Sequence, residues 1–579
     1  MSLIEDASLI QIPSGYKEDK LYSIKPTNGD GDFTFTRASS ATRVNAEGLI
    51  EEVPYNLLEQ SNDFDTTWDL SAGIDLTSGQ SGYNGSNDAW LLKKNTTGAR
   101  SVKQDLTRPS GQYSFSVYLK AESTDWVYIW AYDGSTAVNA YFDLNNGVVG
   151  NTSGLDSTNV VSVGDDWYRC TITFTQAITR VRIYPAYANG SLETGTDNGI
   201  YIQDAQINKG STAKPYFPTT DRLNVPRLDY SGGASCASLL LEPQRSNLIT
   251  YSSDFSNAAW TKQDATITAN QAISPDGTLN ADLYTTASDL YDFVRHSITY
   301  ISGNSYTISV FVKQGTSSEV SLLLPSQAFG SNQSATFDVS DGTYTITSGS
   351  PSVTIEDYGN GWYRCALSAI ATITATRSTG FSSVASGAVT TLYFYGAQVE
   401  VGSYPTSYIP SNSGSQTTRT ADACNGAGTS ATFNDSEGVL MFEGSVLDIS
   451  TTNSWISISE GADYNNNQFN LRFVENSNLI QAVSRADGLG IDVILTHTLT
   501  DKTEINKIAI KYKLNDWALW VNGVEVDTET SSNAFTANSL DVLDFDRGNN
   551  TNYFYGNTKQ LLYFPSALTD SELQTLTTL

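Results

Sequence analysis

The chain has 579 residues, with 62 acidic residues against 33 Lys and Arg, so its formal net charge at pH 7 is −29. A charge of that sign and size repels a phosphate backbone and excludes nucleic acid as an expected partner. Only 16% of the residues are charged and 11% are aromatic, which excludes a disordered chain. At roughly 150 residues per domain, the length predicts three or four domains.

Neither a secretion signal nor a membrane span is expected. Residues 1–20 lack a basic start followed by an apolar run, and nowhere do about 18 apolar residues follow one another. The four cysteines are too few for a disulfide scaffold and lack the close pairing of a zinc site. We therefore expect buried thiols at Cys170, Cys236, Cys365 and Cys424.

The first segment, residues 1–53, has too few apolar residues for a core of its own. We expect an extended N-terminal arm that docks on something else.

An internal repeat follows this arm. Two segments of a first copy return in a second copy, in the same order and at a nearly constant spacing: Tyr-Ser-Phe-Ser-Val-Tyr-Leu-Lys at 113–120 as Tyr-Thr-Ile-Ser-Val-Phe-Val-Lys at 306–313, and Trp-Tyr-Arg-Cys at 167–170 as the same four residues at 362–365. A repeat sets domain boundaries better than local propensity does. We predict homologous domains at 54–218 and 245–410.

Apolar residues alternate within each copy, as in Tyr113, Phe115, Val117 and Leu119, which is the period of a half-buried strand. Clusters of Gly, Asn, Asp and Ser interrupt the strands about every 8–12 residues. This pattern predicts an antiparallel β-sandwich, and a jelly roll is the version that best fits the domain size.

The rest of the chain is predicted to be two hinges and a third sandwich. Residues 219–244 are expected to form a connector and 411–435 a linker, both hinge-like. Strand-like alternation resumes over 436–579, with a tight hairpin turn at Asn-Gly 522–523. Thr569 and Glu572 predict a capping box for one short terminal helix. The predicted fold class is all-β, with tandem antiparallel β-sandwiches after the arm.

Two segments resemble recurrent parts of bacteriophage tail and virion fibre proteins. Phe-Thr-Phe-Thr-Arg-Ala-Ser-Ser-Ala-Thr-Arg-Val-Asn at 33–45 resembles their opening, and Leu-Leu-Glu-Pro-Gln-Arg-Ser-Asn-Leu at 240–248 resembles their module joint. The two repeats resemble carbohydrate-binding jelly rolls, and 436–579 resembles a concanavalin A-like, or laminin G-like, lectin sandwich. The resemblance implies a virion protein that is assembled in the host cytoplasm and exposed on the particle, with the arm attaching it to other capsid or tail proteins.

The candidate carbohydrate-binding site is an aromatic ladder in the first repeat. Alternation on a strand places Trp126, Tyr128, Trp130 and Tyr132 on one face. Flat rings stack against the apolar side of a pyranose, with amides and carboxylates serving its hydroxyls. Two other interpretations stay open: the rings form part of the core, or a neighbouring subunit covers them.

The second repeat has no such ladder. Glu319, Ser321 and Leu323 occupy the matching positions. We therefore expect sugar binding in the first repeat.

Trp167 and Arg169 of the first repeat return as Trp362 and Arg364. Because the copies agree here while they differ at the ladder, we predict a shared structural role. The Trp would anchor the sandwich, and the Arg would satisfy a loop carboxylate or carbonyl.

Asp204 is the candidate metal ligand. In many carbohydrate-binding jelly rolls an acidic residue of the last strand holds a structural calcium ion, and the resemblance places Asp204 there, whereas Gly396 replaces it in the second repeat. The alternative is an ordinary solvated strand residue. No other cofactor is predicted.

We expect no enzymatic activity. Sugar hydrolysis needs two carboxylates at the scissile bond, and 436–579 lacks the Glu-x-Asp-x-x-Glu run of lectin-like hydrolases. Neither His296 nor His497 lies near a nucleophile motif.

The expected function is a phage fibre or decoration protein that adheres to host-surface or environmental polysaccharide. Weak single contacts would require many copies, so a homo-oligomer is expected, a dimer or a trimer. Two alternatives are a purely structural capsid or tail fibre component and a polysaccharide depolymerase.

Overall fold

The computed structural model describes residues 3–193, 195–287, 292–384, 389–447, 452–461 and 465–579. Its regular structure is nearly all β-strand in antiparallel sheets, which confirms the predicted all-β class. The described chain divides into two compact units: one contains 52–223 with 277–279, and the other contains the remaining described residues.

The first repeat is a sandwich built around two long strands, Val102–Ala121 and Trp167–Ala186, of 20 residues each. Register shifts near Arg108 mark bulges that bend the pair. The halves of each strand have different neighbours, so both strands contribute to both layers. The sheet also contains, in chain order, Asp69–Leu70, Ile74–Gln80, Ala89–Lys94, Trp126–Tyr132, Ala137–Asp143, Val148–Ser153, Ser157–Gly164 and Gly199–Lys209.

The second repeat is also a sandwich, and its two layers are separate six-stranded sheets. One sheet has the order Trp260–Gln263, Phe293–Tyr300, Ala375–Ser383, Glu319–Leu324, Gln333–Asp338, Thr343–Ser348. The other has the order Ala265–Ile273, Leu279–Thr286, Thr391–Val401, Ser305–Gln314, Trp362–Ile370, Ser352–Asp357. Each repeat encloses its own apolar core between its layers.

The C-terminal region is a third sandwich. Its larger sheet has the order Leu228–Asp229, Ser238–Leu241, Gly556–Phe564, Glu437–Val446, Asn506–Lys513, Trp517–Val521, Val524–Glu529. Its smaller sheet has the order Ile494–Thr498, Leu479–Arg485, Gln468–Phe473, Ser454–Ser459, Val542–Asp544. The hairpin turn forms as predicted, with Asn522 and Gly523 at positive φ.

The N-terminal segment docks on the chain itself. Leu9–Gln11 adds a strand to the larger C-terminal sheet by pairing with Gly556–Phe564. Leu9, Leu21 and Phe33 are fully buried in the core of that sandwich. The remaining short strands of this region are Tyr16–Lys17, Lys20–Leu21 and Phe33–Thr36, which form a sheet with Ala423–Asn425, and Ala41–Val44, which pairs with Ile50–Val53.

The hinge interpretation of the connector and the linker is wrong. From residue 224 onward, the connector supplies two strands to the larger C-terminal sheet. The linker supplies Ala423–Asn425 and Thr417–Arg419, the latter paired with Arg245–Asn247. Hydrogen-bonded strands with buried side chains have little freedom to bend.

A buried ion network joins these segments. The guanidinium of Arg227 bonds to the carboxylates of both Glu242 and Asp422. Arg37 lies 3.0 Å from Asp422, and Arg419 lies 2.6 Å from Glu242. Their charges look like solvated surface groups in the sequence, but in the structure all five side chains are almost completely buried.

Helix is scarce among the described residues: Leu3–Asp6 and Ser231–Gly233 are single 3₁₀ turns, and Ser326–Phe329 and Asp570–Thr577 are α-helical. The predicted capping box of Thr569 and Glu572 is confirmed. Within the described ranges, no helix has the length and apolar character needed to cross a membrane. Cys170, Cys365 and Cys424 are buried, but the expectation of a buried thiol is wrong for Cys236, which is exposed.

Candidate functional site

The ladder strand, Trp126–Tyr132, lies between Ala137–Asp143 and the second half of Trp167–Ala186. Val127, Ile129 and Ala131 are completely buried in the core. The four rings that alternate with them are half-buried on the opposite face. The interpretation of these rings as interior core is therefore wrong.

Neighbouring strands extend the ladder into a wider aromatic surface. Side chains directly opposite each other on antiparallel strands share a face of the sheet. Tyr128 is opposite Tyr141 on one side and Tyr184 on the other. Trp130 is opposite Asn139 and Arg182. We call the ladder together with these four residues the aromatic face.

The central rings of the face pack against one another. The Tyr128 ring centroid lies 4.5 Å from that of Tyr141 and 5.3 Å from that of Tyr184. Burial, with the two neighbouring phenols, raises the pKa of the Tyr128 hydroxyl, so it stays a neutral donor and acceptor at physiological pH. Tyr132 stacks on Trp130 at 5.1 Å, and its hydroxyl donates to the carbonyl of Gly134 at 2.7 Å. Tyr141 and Tyr184 are buried in this cluster, so the accessible part of the face is a strip formed by the four half-buried ladder rings.

Amide groups lie beside Trp126. The side-chain oxygen of Asn189 accepts a hydrogen bond from the backbone N–H of Asn151 at 2.8 Å. The side-chain NH₂ of Asn189 donates to the side-chain oxygen of Asn151 at 3.3 Å. A Cβ at Gly150 would lie 2.6 Å from the Trp126 ring, so a larger residue there would displace it. Exposed amides next to a flat ring are suitable groups for binding sugar hydroxyls.

The equivalent strand of the second repeat, Glu319–Leu324, carries no aromatic side chain. Val320, Leu322 and Leu324 are completely buried, as their counterparts in the first repeat are. On the outer face, Ser321 is opposite Thr336 and Ser382. Leu323 is opposite Ser334 and Gly380. The two repeats thus have the same fold and equivalent core positions on this strand, but the outward side chains of the strand differ.

The paired Trp residues are buried in small apolar clusters separate from the two sandwich cores, and Arg169 is only partly buried. Trp167 and Trp362 are 2% and 1% exposed. Arg169 donates to the backbone carbonyl of Lys214 at 2.6 Å, and Arg364 donates to the Ser309 hydroxyl at 3.1 Å. This placement agrees with a structural role.

Asp204 is 4% exposed, so the alternative of a solvated strand residue is wrong. Its carboxylate accepts a hydrogen bond from the Tyr83 hydroxyl at 2.9 Å, and burial raises its pKa to about 6. Within the described part of the chain, no group of three or more His, Cys, Asp or Glu side chains is placed to hold a metal ion. Calcium binding at Asp204 stays a prediction.

Four residues that complete the aromatic face were not predicted, namely Tyr141, Tyr184, Asn139 and Arg182. Their own alternation was available as a signal, because Arg180, Arg182 and Tyr184 alternate in Trp167–Ala186. Which of them lies opposite which ring depends on strand register, which the sequence does not show.

No family model matches the chain, and no curated protein matches it either. Among solved structures, it is similar to the CBM40 domain of the Ruminococcus gnavus IT-sialidase bound to α2,3-sialyllactose, at 18% identity and a TM-score of 0.23, over 26% of this chain and 87% of that chain. It is also similar to domain 4 of AbnA, a GH43 extracellular arabinanase from Geobacillus stearothermophilus, in complex with arabinotriose, at 13% identity and a TM-score of 0.23, over 27% and 73%. The CBM22-1–CBM22-2 tandem of Paenibacillus barcinonensis Xyn10C matches at 11% identity and a TM-score of 0.19, over 63% and 100%. Scores this low establish neither a shared ligand nor a shared family, so the fold assignment rests on the sheets described above.

Proposed function

We propose that this chain binds polysaccharide through the aromatic face of its first repeat, without cleaving it, as a fibre or decoration protein of a phage particle. The ring strip would stack against sugar rings, and the amides beside Trp126 would bond to their hydroxyls.

The observation that supports this proposal is the difference between the two repeats. Both need a packed core, and both have it on the inward residues of the equivalent strand. The outward residues of this strand are all aromatic in the first copy, and none of them is aromatic in the second. Since the second copy folds without rings on this face, the fold does not require them, and partly exposed aromatic rings without a structural need are typical of a binding surface.

The virion role is supported by the resemblance of 33–45 and 240–248 to fibre proteins. Phe33, Phe35 and Arg37 of the first segment are buried within the chain. An attachment surface on the arm would therefore use other residues, of which Tyr22 and Ile24 are 37% and 45% exposed. A single shallow sugar site binds weakly, so adhesion would depend on several copies acting together.

The test replaces two ladder rings. Trp126→Ala with Trp130→Ala is expected to weaken binding of the full chain to its polysaccharide by at least about tenfold, or about 1.4 kcal/mol, since it removes the stacking surfaces and leaves the core unchanged. The measurement is a glycan-panel screen followed by titration calorimetry on the glycans that bind.

The matched control is Ser321→Ala with Leu323→Ala on the same face of the second repeat, which should leave binding unchanged. Unchanged glycan binding by the ladder variant, together with failed particle assembly, would instead favour a structural fibre component. Release of new reducing ends from the polysaccharide would show a depolymerase.

A further inference from the structure

The end of the aromatic face around Trp130 carries positive charge, although the chain as a whole is strongly acidic. Arg180, Arg182 and Lys103 lie on adjacent strands there. Arg180 pairs with Asp105, and Lys103 lies 2.9 Å from Asp69. Arg182 has no carboxylate within ion-pair distance among the residues that the structure describes. The three cations and two carboxylates leave a local charge of +1, which is carried by Arg182.

Arg182 is held in place by neutral groups. Its guanidinium lies over the Trp130 ring, 5.1 Å from the centroid, and Nη1 donates to the Tyr184 hydroxyl at 2.9 Å. Its Nε is buried and has no hydrogen-bond partner in the described part of the chain, so a ligand would bond to the terminal Nη groups. A fixed guanidinium with unused donors is suited to bind a planar anion in two-point geometry, and little entropy is lost because it is already ordered.

We propose that Arg182 and Trp130 form a subsite for a sugar unit that carries a carboxylate. This inference rests on the proposed function, because the aromatic face must bind glycans for the subsite to select among them. The guanidinium would bind the carboxylate, while the exposed edges of Trp130 and Tyr132 would contact the ring of the same or the next sugar. The ligand class is an acidic polysaccharide with uronic acid or sialic acid units.

The acidic character of the chain does not prevent such binding. At physiological ionic strength the screening length is about 8 Å, so only nearby charges matter. Asp133 caps the turn after the ladder strand by accepting hydrogen bonds from the backbone N–H groups of Ser135 and Thr136. Asp143 is opposite Trp126, four residues and about 13 Å from Trp130 along the strand.

The second repeat lacks both members of this pair. Gly380 occupies the position of Arg182, and Leu323 occupies that of Trp130. A Cβ at Gly380 would lie 2.1 Å from the carbonyl oxygen of Val294, so the backbone there has no room for a side chain. The second repeat therefore cannot build the subsite by a single substitution, and it serves as an internal negative control.

The test uses the full chain at 0.15 M salt, about physiological ionic strength, against a panel of uronate-containing, sialate-containing and neutral oligosaccharides, with each acidic glycan also presented as its methyl ester. We expect the acidic glycans to bind, and the corresponding esters to bind at least about tenfold more weakly. Arg182→Gln should lower the affinity for the acidic glycans to that for their esters. Arg182→Lys should keep part of the preference for acids over esters. It retains the positive charge but loses the planar guanidinium that can make two parallel hydrogen bonds to a carboxylate.

The matched control is Arg377→Gln, an exposed arginine of the equivalent strand in the second repeat, which should change nothing. Far-UV circular dichroism and the melting temperature check that the Arg182 variants fold. Equal binding of acids and esters, or an unchanged preference in Arg182→Gln, would overturn the subsite while leaving glycan binding intact. Binding to no glycan of the panel would overturn both proposals.

Discussion

At the scale of single residues, burial sets the pKa of a side chain, which the residue type alone does not fix. Asp204 has a positive φ of 52°, a nearly inaccessible carboxylate and a tyrosine donor. Loss of hydration outweighs the stabilising hydrogen bond from Tyr83, and the pKa rises to about 6. In the unfolded chain the same group titrates near about 3.9, so the folded state holds a proton that the unfolded state releases between those two values.

We expect Asp204→Asn to raise the free energy of unfolding at pH 7 by about 2 kcal/mol, since the buried charge opposes folding above about pH 6. The gain should shrink as the pH falls through about 6 and vanish below about pH 4, where Asp204 becomes protonated in the unfolded state as well. Asparagine tolerates the positive φ and still accepts from Tyr83. Denaturant unfolding of both chains at several pH values gives the difference directly.

Calcium binding at this residue predicts the opposite result. A calcium ligand would make Asp204→Asn destabilising at pH 7, and a chelator would lower the melting temperature of the natural chain but not of the variant.

At the scale of elements, a strand of three residues fixes the N-terminal segment. Leu9 pairs with Tyr563 of the last long strand, and it is completely buried. The short strand completes an edge of the sheet and covers backbone groups that would otherwise face solvent. The N-terminal segment has too few apolar residues for a core of its own. It is nevertheless docked, because those few residues are buried in the core of the C-terminal sandwich.

Leu9→Ala is expected to lower the free energy of unfolding of the C-terminal sandwich by about 3 kcal/mol, because a large buried side chain is removed and a cavity is left. Ile4→Ala is the matched control, since Ile4 is 39% exposed and its truncation should cost little. Denaturant unfolding of the full chain measures both. An unchanged unfolding transition in Leu9→Ala would mean that the segment does not contribute to the sandwich in solution.

At the scale of the whole molecule, the ion network of Arg37, Arg227, Glu242, Arg419 and Asp422 replaces hinges with a rigid junction within one compact unit. Burial alone would raise the pKa of Glu242, but Arg419 and Arg227 outweigh it and hold that pKa well below its usual range. Every charge in the network thus depends on its partners, and the loss of one partner leaves another charge buried and unpaired.

Asp422→Asn should cost about 3–5 kcal/mol of stability, because Arg37 and Arg227 would lose their shared carboxylate. Limited proteolysis is expected to cut 411–435 faster in this variant than in the natural chain. Asp516→Asn is the control, since that carboxylate pairs with Lys511 and is 52% exposed, and an exposed pair contributes little. Equal cleavage rates in Asp422→Asn and the control would contradict a rigid junction.

The shared face of the ladder rings could be predicted from the sequence, whereas the burial of the connector and the linker could not. Alternation in 126–132 is a local property of strand geometry, so the sequence places Trp126 and Trp130 on one face of the strand, and the structure shows that this face points away from the core. Arg227 and Asp422 are far apart in sequence and have the composition of solvated loops. Their burial follows from contacts that only a folded chain makes.

The order of amino acids alone determined the β class, the duplication and the placement of the four rings together on one side of their strand. The period of a strand and the repetition of a segment are both visible in the sequence itself. The tertiary structure alone decided that Arg182 and Tyr184 flank those rings, that Asp204 is buried and that the N-terminal segment closes on the last sandwich. Each of these depends on register or burial, which arise when distant segments meet and exclude water.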